Sequence, residues 1–132
     1  ALAVGADGVH LGQDDMPLEA ARRIAPELIL GRSTHSVEQA LEAQAQGADY
    51  VNLGPVFPTR TKNTPVQPLG LEIIRNAAPK LSIPFSVMGG GKEHNIPQLY
   101  DAGARIFAMV TELTQADDVA AKARAMRALW EE

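Results

Sequence analysis

The chain has 132 residues, of which 45% are hydrophobic and 21% charged, with a formal net charge of -4. This length and composition suit one folded domain, and the negative charge without a basic stripe argues against sequence-independent nucleic-acid binding. The absence of cysteine excludes disulfides, thiolate metal sites and a cysteine nucleophile. The apolar runs are too short to span a bilayer and the amino end lacks the basic region of a signal peptide, so we expect a cytoplasmic protein.

A recurring phrase organises the chain. Gly-Ala followed by a short apolar run begins at Gly5, at Gly47 and at Gly103. In each phrase the glycine can end a helix in the left-handed conformation, and the apolar run predicts a strand. Ala1 to Gly5 has the pattern of a helix end, so the chain is expected to start inside an element. The unequal spacing of the phrases argues against a solenoid of fixed period.

Helices and strands are predicted to alternate along the chain. The predicted strands span residues 8–11, 28–31, 50–53 and 83–88, with a fifth after Gly103; the predicted helices span residues 17–25, 36–46, 69–78, 96–102 and 117–130. Ser36 and Gln39 form a predicted capping box for the second helix. Five strands that are each followed by a helix predict an α/β fold with a parallel sheet and right-handed crossovers.

Two architectures fit this alternation, a doubly wound sheet and part of a (β/α)8 TIM barrel. No G-x-G-x-x-G follows the first strand, which weakens the dinucleotide-binding alternative. We therefore predict a partial (β/α)8 barrel, with residues 1–132 as a single incomplete domain.

The stretch from Tyr50 to Lys62 predicts an anion-binding site. An apolar strand runs into Gly54-Pro55, and Thr59, Arg60, Thr61 and Lys62 then place two hydroxyls and two cations within four residues. α/β proteins bind their ligands at the carboxyl ends of strands, and such loops offer donors to phosphate. A solvated basic turn is the alternative interpretation.

Several motifs together resemble thiamine-phosphate synthase in order and spacing. They are HLGQDD at 10–15, LGRSTHS at 30–36, LGPVFPTRTK at 53–62, PLGL at 68–71 and MGG at 88–90. The resemblance implies a (β/α)8 barrel that joins hydroxymethylpyrimidine diphosphate to thiazole phosphate, releasing pyrophosphate with the help of Mg²⁺. The match starts about three units into the family's barrel, so this chain would correspond to the fourth to eighth strands and their helices.

Site residues follow from this resemblance. Asp15 corresponds to a magnesium ligand, although Asp14 or Asp15 could instead cap the following helix. Ser33 corresponds to a catalytic residue that contacts the pyrimidine, although alone it would suit a plain turn. Thr59, Arg60 and Thr61 correspond to the segment that binds the thiazole phosphate. Lys62 corresponds to a catalytic residue on the diphosphate, where its charge would stabilise the leaving pyrophosphate.

The last two predicted strands contribute the remaining site residues. Gly90 corresponds to a glycine whose backbone approaches the thiazole phosphate, although a glycine-rich turn without a ligand is also possible. Val110 and Thr111 correspond to the positions that present backbone and hydroxyl donors to the same phosphate. The chain departs from the family's usual Ile-Ser at Val110-Thr111 and from its usual Gly-Gly-Ile at Gly91-Lys92.

The histidines define the alternative function. A thiazole tautomerase branch of the same superfamily has a histidine at the position of His35, and there the T-x-T-K segment is altered. The intact Thr59 to Lys62 segment favours the synthase, with His35 beside a helix cap or behind the site. His10 is expected to point into the barrel, and His94 to lie in a loop; neither has companions at metal-ligand spacing.

An incomplete barrel has consequences for activity. Five strands cannot close a ring of eight, so sheet edges and apolar lining would be exposed unless other barrel strands or further copies of the chain covered them. We therefore expect self-association or completion by the remaining strands, and weak or absent turnover by this chain alone. A non-catalytic phosphate-binding fragment and an assembly-forming module remain alternatives.

Overall fold

Five parallel strands form one sheet in a computed structural model that describes residues 1–59 and 66–129. The strands are β1 (Gly8–Leu11), β2 (Ile29–Thr34), β3 (Tyr50–Leu53), β4 (Phe85–Met88) and β5 (Phe107–Ala108). Their order in the sheet is the order in the sequence, and every neighbouring pair is parallel. An order without reversal has no switch point of the doubly wound kind, so it supports the predicted barrel-type winding.

Six α-helices connect or follow the strands in the described part of the chain. They are α1 (Leu18–Ile24), α2 (Val37–Ala45), α3 (Glu72–Ala77), α4 (Ile96–Asp101), α5 (Thr111–Thr114) and α6 (Val119–Arg127), with 3-10 turns at Leu2–Val4 and Glu93–Asn95. No helix in these residues is long and apolar enough to cross a membrane.

The core lies between one face of the sheet and helices α1 to α4. Leu30, Val51 and Val87, from β2, β3 and β4, lie on the face of the sheet that packs against the helices and are at most 3% exposed. They pack with buried residues such as Leu18 and Ile74 from the helices. Because side chains alternate along a strand, the residues next to these in each strand point to the other side of the sheet. We call that side the open face of the sheet.

Local signals explain where several elements end. Gly5, Gly47 and Gly103 have φ values of 65°, 86° and 111°, which is the left-handed conformation predicted for the glycine of each repeated phrase. At the start of α2, Ser36 Oγ accepts a hydrogen bond from the Gln39 N–H at 3.1 Å. Gln39 Oε1 accepts from the N–H of His35 at 2.8 Å, one residue before the position that a standard capping box uses.

Several predicted elements differ from the observed ones, and α5 (Thr111–Thr114) was not predicted. Strand β2 extends to Thr34 instead of ending at Gly31, because it pairs with β3 along that length. Helix α3 starts at Glu72 instead of at 69; Gly70 has φ 68° and its N–H bonds the Val56 carbonyl at 2.9 Å, so the backbone there is not helical. Helix α6 starts at Val119 instead of at 117, because Asp118 caps it by accepting a hydrogen bond from the Ala121 N–H at 2.8 Å.

Candidate functional site

The site predicted from the sequence lies at the edge where the strands end, which we call the carboxyl edge. In a parallel sheet all strands end at the same edge, so the segments after β1 to β5 are neighbours there. The predicted site residues in the described segments are Asp15, Ser33, Thr59, Gly90, Val110 and Thr111. Arg60, Thr61 and Lys62 belong to this prediction too, but they lie outside the described residues.

The loop after β3 is joined to its neighbours by backbone hydrogen bonds. The N–H of Gly54 donates to the Thr34 carbonyl at 3.2 Å, and the N–H of Val56 donates to the Met88 carbonyl at 3.0 Å. The N–H of Phe57 donates to the Gly89 carbonyl at 3.0 Å. The loops after β2, β3 and β4 therefore form one continuous backbone surface at the carboxyl edge.

Gly90 lies directly against the loop after β3. Its φ is 64°, and a Cβ added there would stand 2.2 Å from the Pro58 carbonyl oxygen and 2.7 Å from that of Phe57. A Cβ added at Gly91 would stand 3.1 Å from the end of the Met109 side chain, which follows β5. The glycine segment thus fills the narrow space between the two flanking loops, and only a residue without a side chain fits at position 90.

Ser33 lies within strand β2, so the plain-turn alternative is wrong. Its hydroxyl is hydrogen-bonded to His10 Nε2 at 2.8 Å, and its carbonyl accepts from Gln13 Nε2 at 2.6 Å. His10 Nδ1 is hydrogen-bonded to the Tyr50 hydroxyl at 2.9 Å. Both ring nitrogens of His10 therefore have partners on the open face.

Gly31 makes the contact between His10 and Tyr50 possible. The register places Gly31 between His10 on β1 and Tyr50 on β3. A Cβ at Gly31 would stand 2.4 Å from the Tyr50 hydroxyl oxygen and 2.5 Å from His10 Nδ1. A side chain at this position would therefore separate the two groups. Ser33 belongs to the predicted site, but its companions His10 and Tyr50 do not, although strand periodicity puts all three side chains on one face once the register is known.

The pKa of His10 is lowered from its ordinary value. Partial shielding of the ring from water is the main cause, the Arg32 guanidinium adds to it, and the Asp15 carboxylate opposes it. A lowered pKa keeps the imidazole neutral at physiological pH, so that it can accept one hydrogen bond and donate another.

Polar groups continue across the open face to β4. Asn52, which pairs with Ser33 in the register, donates from Nδ2 to Ser86 Oγ at 2.8 Å. Asn52 is 7% exposed, so the hydrogen bond satisfies an amide that would otherwise be costly to bury. The open face of the sheet is thus polar near the carboxyl ends of the strands.

Asp15 closes a turn after β1. Its Oδ2 accepts from the Gly12 N–H at 2.6 Å, whereas helix α1 has no side-chain cap. The helix-cap alternative for this aspartate is therefore wrong. Arg32 donates to the carbonyls of Gln13 and Met16 at 3.2 and 3.3 Å and thereby anchors the segment that carries Asp15.

The donor set near Asp15 fits a magnesium ion only in part. No group of three or more His, Cys, Asp or Glu side chains could hold a metal within the described ranges. Asp15 accepts one hydrogen bond through Oδ2, and its Oδ1 has none to the described residues. One carboxylate is compatible with Mg²⁺, which usually keeps several waters and takes further oxygens from a bound phosphate.

His35 is held behind the carboxyl edge. Its Nδ1–H donates to the Gly54 carbonyl at 2.6 Å, and its backbone N–H bonds the Gln39 side chain at the start of α2. This placement agrees with the expectation of a residue beside a helix cap.

The segments after β4 and β5 are linked by side chains. Val110 is 52% exposed, and Thr111 is the first residue of α5. The neighbouring Glu112 forms ion pairs with Lys92 Nζ at 3.1 Å and with Lys122 Nζ at 3.2 Å. Burial raises the pKa of Glu112, but the hydrogen bonds from Lys92, the Glu93 N–H and Lys122 outweigh it and hold this pKa below its ordinary value.

One cavity in the described part of the chain lies away from the predicted site. An open cavity of about 630 Å³ lies on the open face near the amino ends of the strands. Ile29, Asp49, Pro84 and Ile106 line it, together with Tyr50, Phe85, Ser86 and Ala108. In a closed barrel this side of the sheet faces inward and is filled by side chains, so we interpret the cavity as uncovered barrel interior.

Comparisons with known proteins point to one family. The family model described as thiamine monophosphate synthase matches residues 1–113. The thiamine-phosphate synthase of Pelotomaculum thermopropionicum is 47% identical over 130 residues, which are 98% of this chain and 60% of that protein.

Two solved structures extend the comparison to the fold. A thiamine phosphate pyrophosphorylase from Pyrococcus furiosus superposes with a TM-score of 0.88 at 40% identity, covering 98% of this chain and 62% of that one. A 3-hexulose-6-phosphate synthase superposes with a TM-score of 0.72 at 26% identity, covering 97% of this chain and 64% of that one. The chain thus spans about three fifths of the length of these relatives. By sequence and by fold, the chain belongs to the thiamine monophosphate synthase family.

Proposed function

We propose that the carboxyl edge binds thiazole phosphate and hydroxymethylpyrimidine diphosphate, and that the protein functions as a thiamine-phosphate synthase. The observation that carries the proposal is the direct contact between the loops after β3 and β4 around Gly90. The same two loops contain the T-R-T-K and G-G-G segments, and a family match covers both of them.

The thiazole phosphate would bind between the segments after β3, β4 and β5. Backbone N–H groups near Gly90 and Val110, with the hydroxyls of Thr59, Thr61 and Thr111, are the proposed donors. These N–H and O–H groups would hold the phosphate in place by hydrogen bonds and would take no covalent part in the reaction. Arg60 would add a positive charge to the same segment.

The pyrimidine would lie over the polar open face near Ser33. The reaction breaks the bond between the pyrimidine methylene carbon and the diphosphate oxygen, and pyrophosphate leaves with the electron pair. The thiazole nitrogen then forms the new C–N bond with the resulting cation. No nucleophilic side chain is required, since the protein contributes positioning and charge stabilisation.

Lys62 and Asp15 are the proposed charged participants. Lys62 would stabilise the growing negative charge on pyrophosphate, so its contribution would be larger in the transition state than in the ground state. Mg²⁺, when bound through Asp15 and phosphate oxygens, would neutralise part of the diphosphate charge. The hydrogen bond from the Gly12 N–H fixes the Asp15 carboxylate in the turn after β1, which supports this role.

Activity is expected to need more of the barrel than this sheet. Ile29, Met88 and Ile106 on or beside the open face are 45–52% exposed, and β1 and β5 each pair on one side only within the described residues. Further barrel strands, or a second copy of the chain, would cover these surfaces. We therefore propose weak or absent turnover by these residues alone.

Two measurements test the proposed function. Thermal unfolding would be followed with thiazole phosphate, pyrophosphate and Mg²⁺, separately and together, because a ligand raises the melting temperature according to its concentration over Kd. Pyrophosphate release with both substrates would then test turnover. We expect stabilisation by both phosphates, and loss of the pyrophosphate effect in Lys62→Ala. No stabilisation by either phosphate at millimolar concentration would contradict the proposal.

A further inference from the structure

A cluster of four charged side chains joins the two segments that would hold the thiazole phosphate. Lys92 and Glu93 follow the glycines after β4, Glu112 lies on α5, and Lys122 lies on α6. We call these four residues the ion-pair cluster. Two lysines and two glutamates leave it without net charge.

Glu112 is the centre of the ion-pair cluster. Its side chain is 16% exposed, and both carboxylate oxygens have donors. Oε2 accepts from Lys92 Nζ at 3.1 Å, while Oε1 accepts from Lys122 Nζ at 3.2 Å and from the Glu93 N–H at 3.3 Å. Lys122 also pairs with the Glu93 carboxylate, so each member has at least one partner of opposite charge.

Lys92 has the sequence context of a phosphate-binding lysine, because it directly follows Gly89-Gly90-Gly91. The structure assigns it a different role, since its ammonium is paired with Glu112. Its backbone N–H is also held, by Asn95 Oδ1 at 2.9 Å. Lys92 is therefore tied at two points to protein groups, and its charge is compensated before any ligand arrives.

We propose that Glu112 is a positioning residue, which fixes the glycine segment after β4 against α5 and so sets the spacing of the phosphate donors near Gly90 and Thr111. Two links, from Lys92 Nζ and from the Glu93 N–H, connect these segments through a single carboxylate one residue from Thr111, and Lys122 on α6 pairs with both glutamates. A phosphate held by donors from two segments binds tightly only when their separation is fixed beforehand. The inference rests on the proposed function.

Glu112→Gln separates this role from a simple electrostatic one. The substitution leaves Lys92 without its carboxylate partner and Lys122 with that of Glu93 alone, and it makes the surroundings one unit more positive. Electrostatic attraction alone would then tighten phosphate binding, whereas loss of positioning weakens it. The two explanations therefore predict changes of opposite sign.

The experiment measures the Kd of thiazole phosphate and, separately, of pyrophosphate for the whole chain. We expect Glu112→Gln to raise the Kd of thiazole phosphate by about threefold to tenfold, the range that loss of one or two partly exposed ion pairs allows. Lys92→Met should raise it similarly, and the double variant should be no weaker than Glu112→Gln, because both changes break the same link. Glu72→Gln is the matched control: it has the same charge change and breaks the exposed pair with Arg75.

Amide hydrogen exchange distinguishes failure of this inference from failure of the proposed function. Glu112→Gln should speed exchange in residues 89–95 and leave the amides of β2 and β3 unchanged. If the parent chain binds no thiazole phosphate, the proposed function fails, and the exchange data alone decide whether Glu112 fixes the segment. Tighter phosphate binding by Glu112→Gln, or unchanged exchange at residues 89–95, would overturn the inference.

Discussion

Gly90→Ala tests whether the loops after β3 and β4 are in contact as described. A methyl group there would stand 2.2 Å from the Pro58 carbonyl oxygen and 2.7 Å from the Phe57 carbonyl oxygen. These are backbone atoms, which cannot rotate away as a flexible side chain can. Gly70→Ala is the control, because Gly70 has a similar φ of 68° and a Cβ there meets nothing within 4 Å.

The two substitutions share one cost and differ in the other. Both force alanine into the left-handed region, at about 1 kcal/mol. Gly90→Ala also forces the loops apart, and overpacking of this kind costs about 1–3 kcal/mol more. For a domain of this length, about 1 kcal/mol changes Tm by about 4 °C. We therefore expect Tm to fall by about 4 °C in Gly70→Ala and by about 8–16 °C in Gly90→Ala.

Calorimetry or circular dichroism measures these Tm values, and titration with inorganic phosphate and thiazole phosphate follows on the folded variants. Gly90→Ala should lose phosphate binding, because displaced loops no longer present their donors together. Equal Tm values for the two variants, combined with unchanged phosphate affinity in Gly90→Ala, would refute the close contact between the loops.

Three further predictions concern stability. The Arg22 guanidinium donates to the Asp49 carboxylate and to three backbone carbonyls. Arg22→Met should therefore lower the free energy of urea unfolding by about 1–2 kcal/mol, after allowance for partial exposure. Arg23→Met is the control, because it loses only an exposed ion pair and should change that free energy by less than about 0.5 kcal/mol. Thr34→Val removes a buried hydroxyl that donates to a carbonyl of β3 at 2.9 Å and should cost about 1 kcal/mol in urea unfolding; no loss would contradict that contact. Folding lowers the pKa of His10, so the stabilising contribution of His10 should be fully present above the ordinary histidine pKa and be lost as pH falls through the folded pKa. His10→Asn should therefore flatten the plot of unfolding free energy against pH in this range. An unaltered plot would contradict the lowered pKa.

The alternation of strands and helices could be predicted from the sequence because its signals are local. Gly5, Gly47 and Gly103 end helical segments with positive φ, and each signal depends on only a few consecutive residues. Right-handed crossovers suit both a doubly wound sheet and a barrel, and the absence of G-x-G-x-x-G after the first strand favoured the barrel. Local patterns of this kind reached the fold class without any information about contacts.

The end of β2 and the group around His10 depended on contacts between strands. Gly31 to Thr34 has no apolar run, so its extended conformation comes from pairing with β3. The hydrogen bonds from His10 to Ser33 and Tyr50 join residues 23 and 40 positions apart. They require both the register and the small size of Gly31, and neither can be derived from a motif in one segment.

The ion-pair cluster was beyond sequence reasoning for a related reason. Lys92 and Glu112 are 20 positions apart in the sequence. They meet because β4 and β5 end side by side. From the sequence alone, Lys92 was visible only as a departure from the usual glycine motif. Its pairing with Glu112 depends on the relative positions of the segments after β4 and β5.

The central claim is that the carboxyl edge binds a small phosphorylated molecule. Backbone amide chemical shifts, followed by NMR during titration with thiazole phosphate, test it most directly. We predict the largest changes at residues 89–91 and 110–112, with little change at Ile29 and Ile106 near the amino ends of the strands. Changes confined to those amino ends, or no changes at millimolar ligand, would contradict the claim.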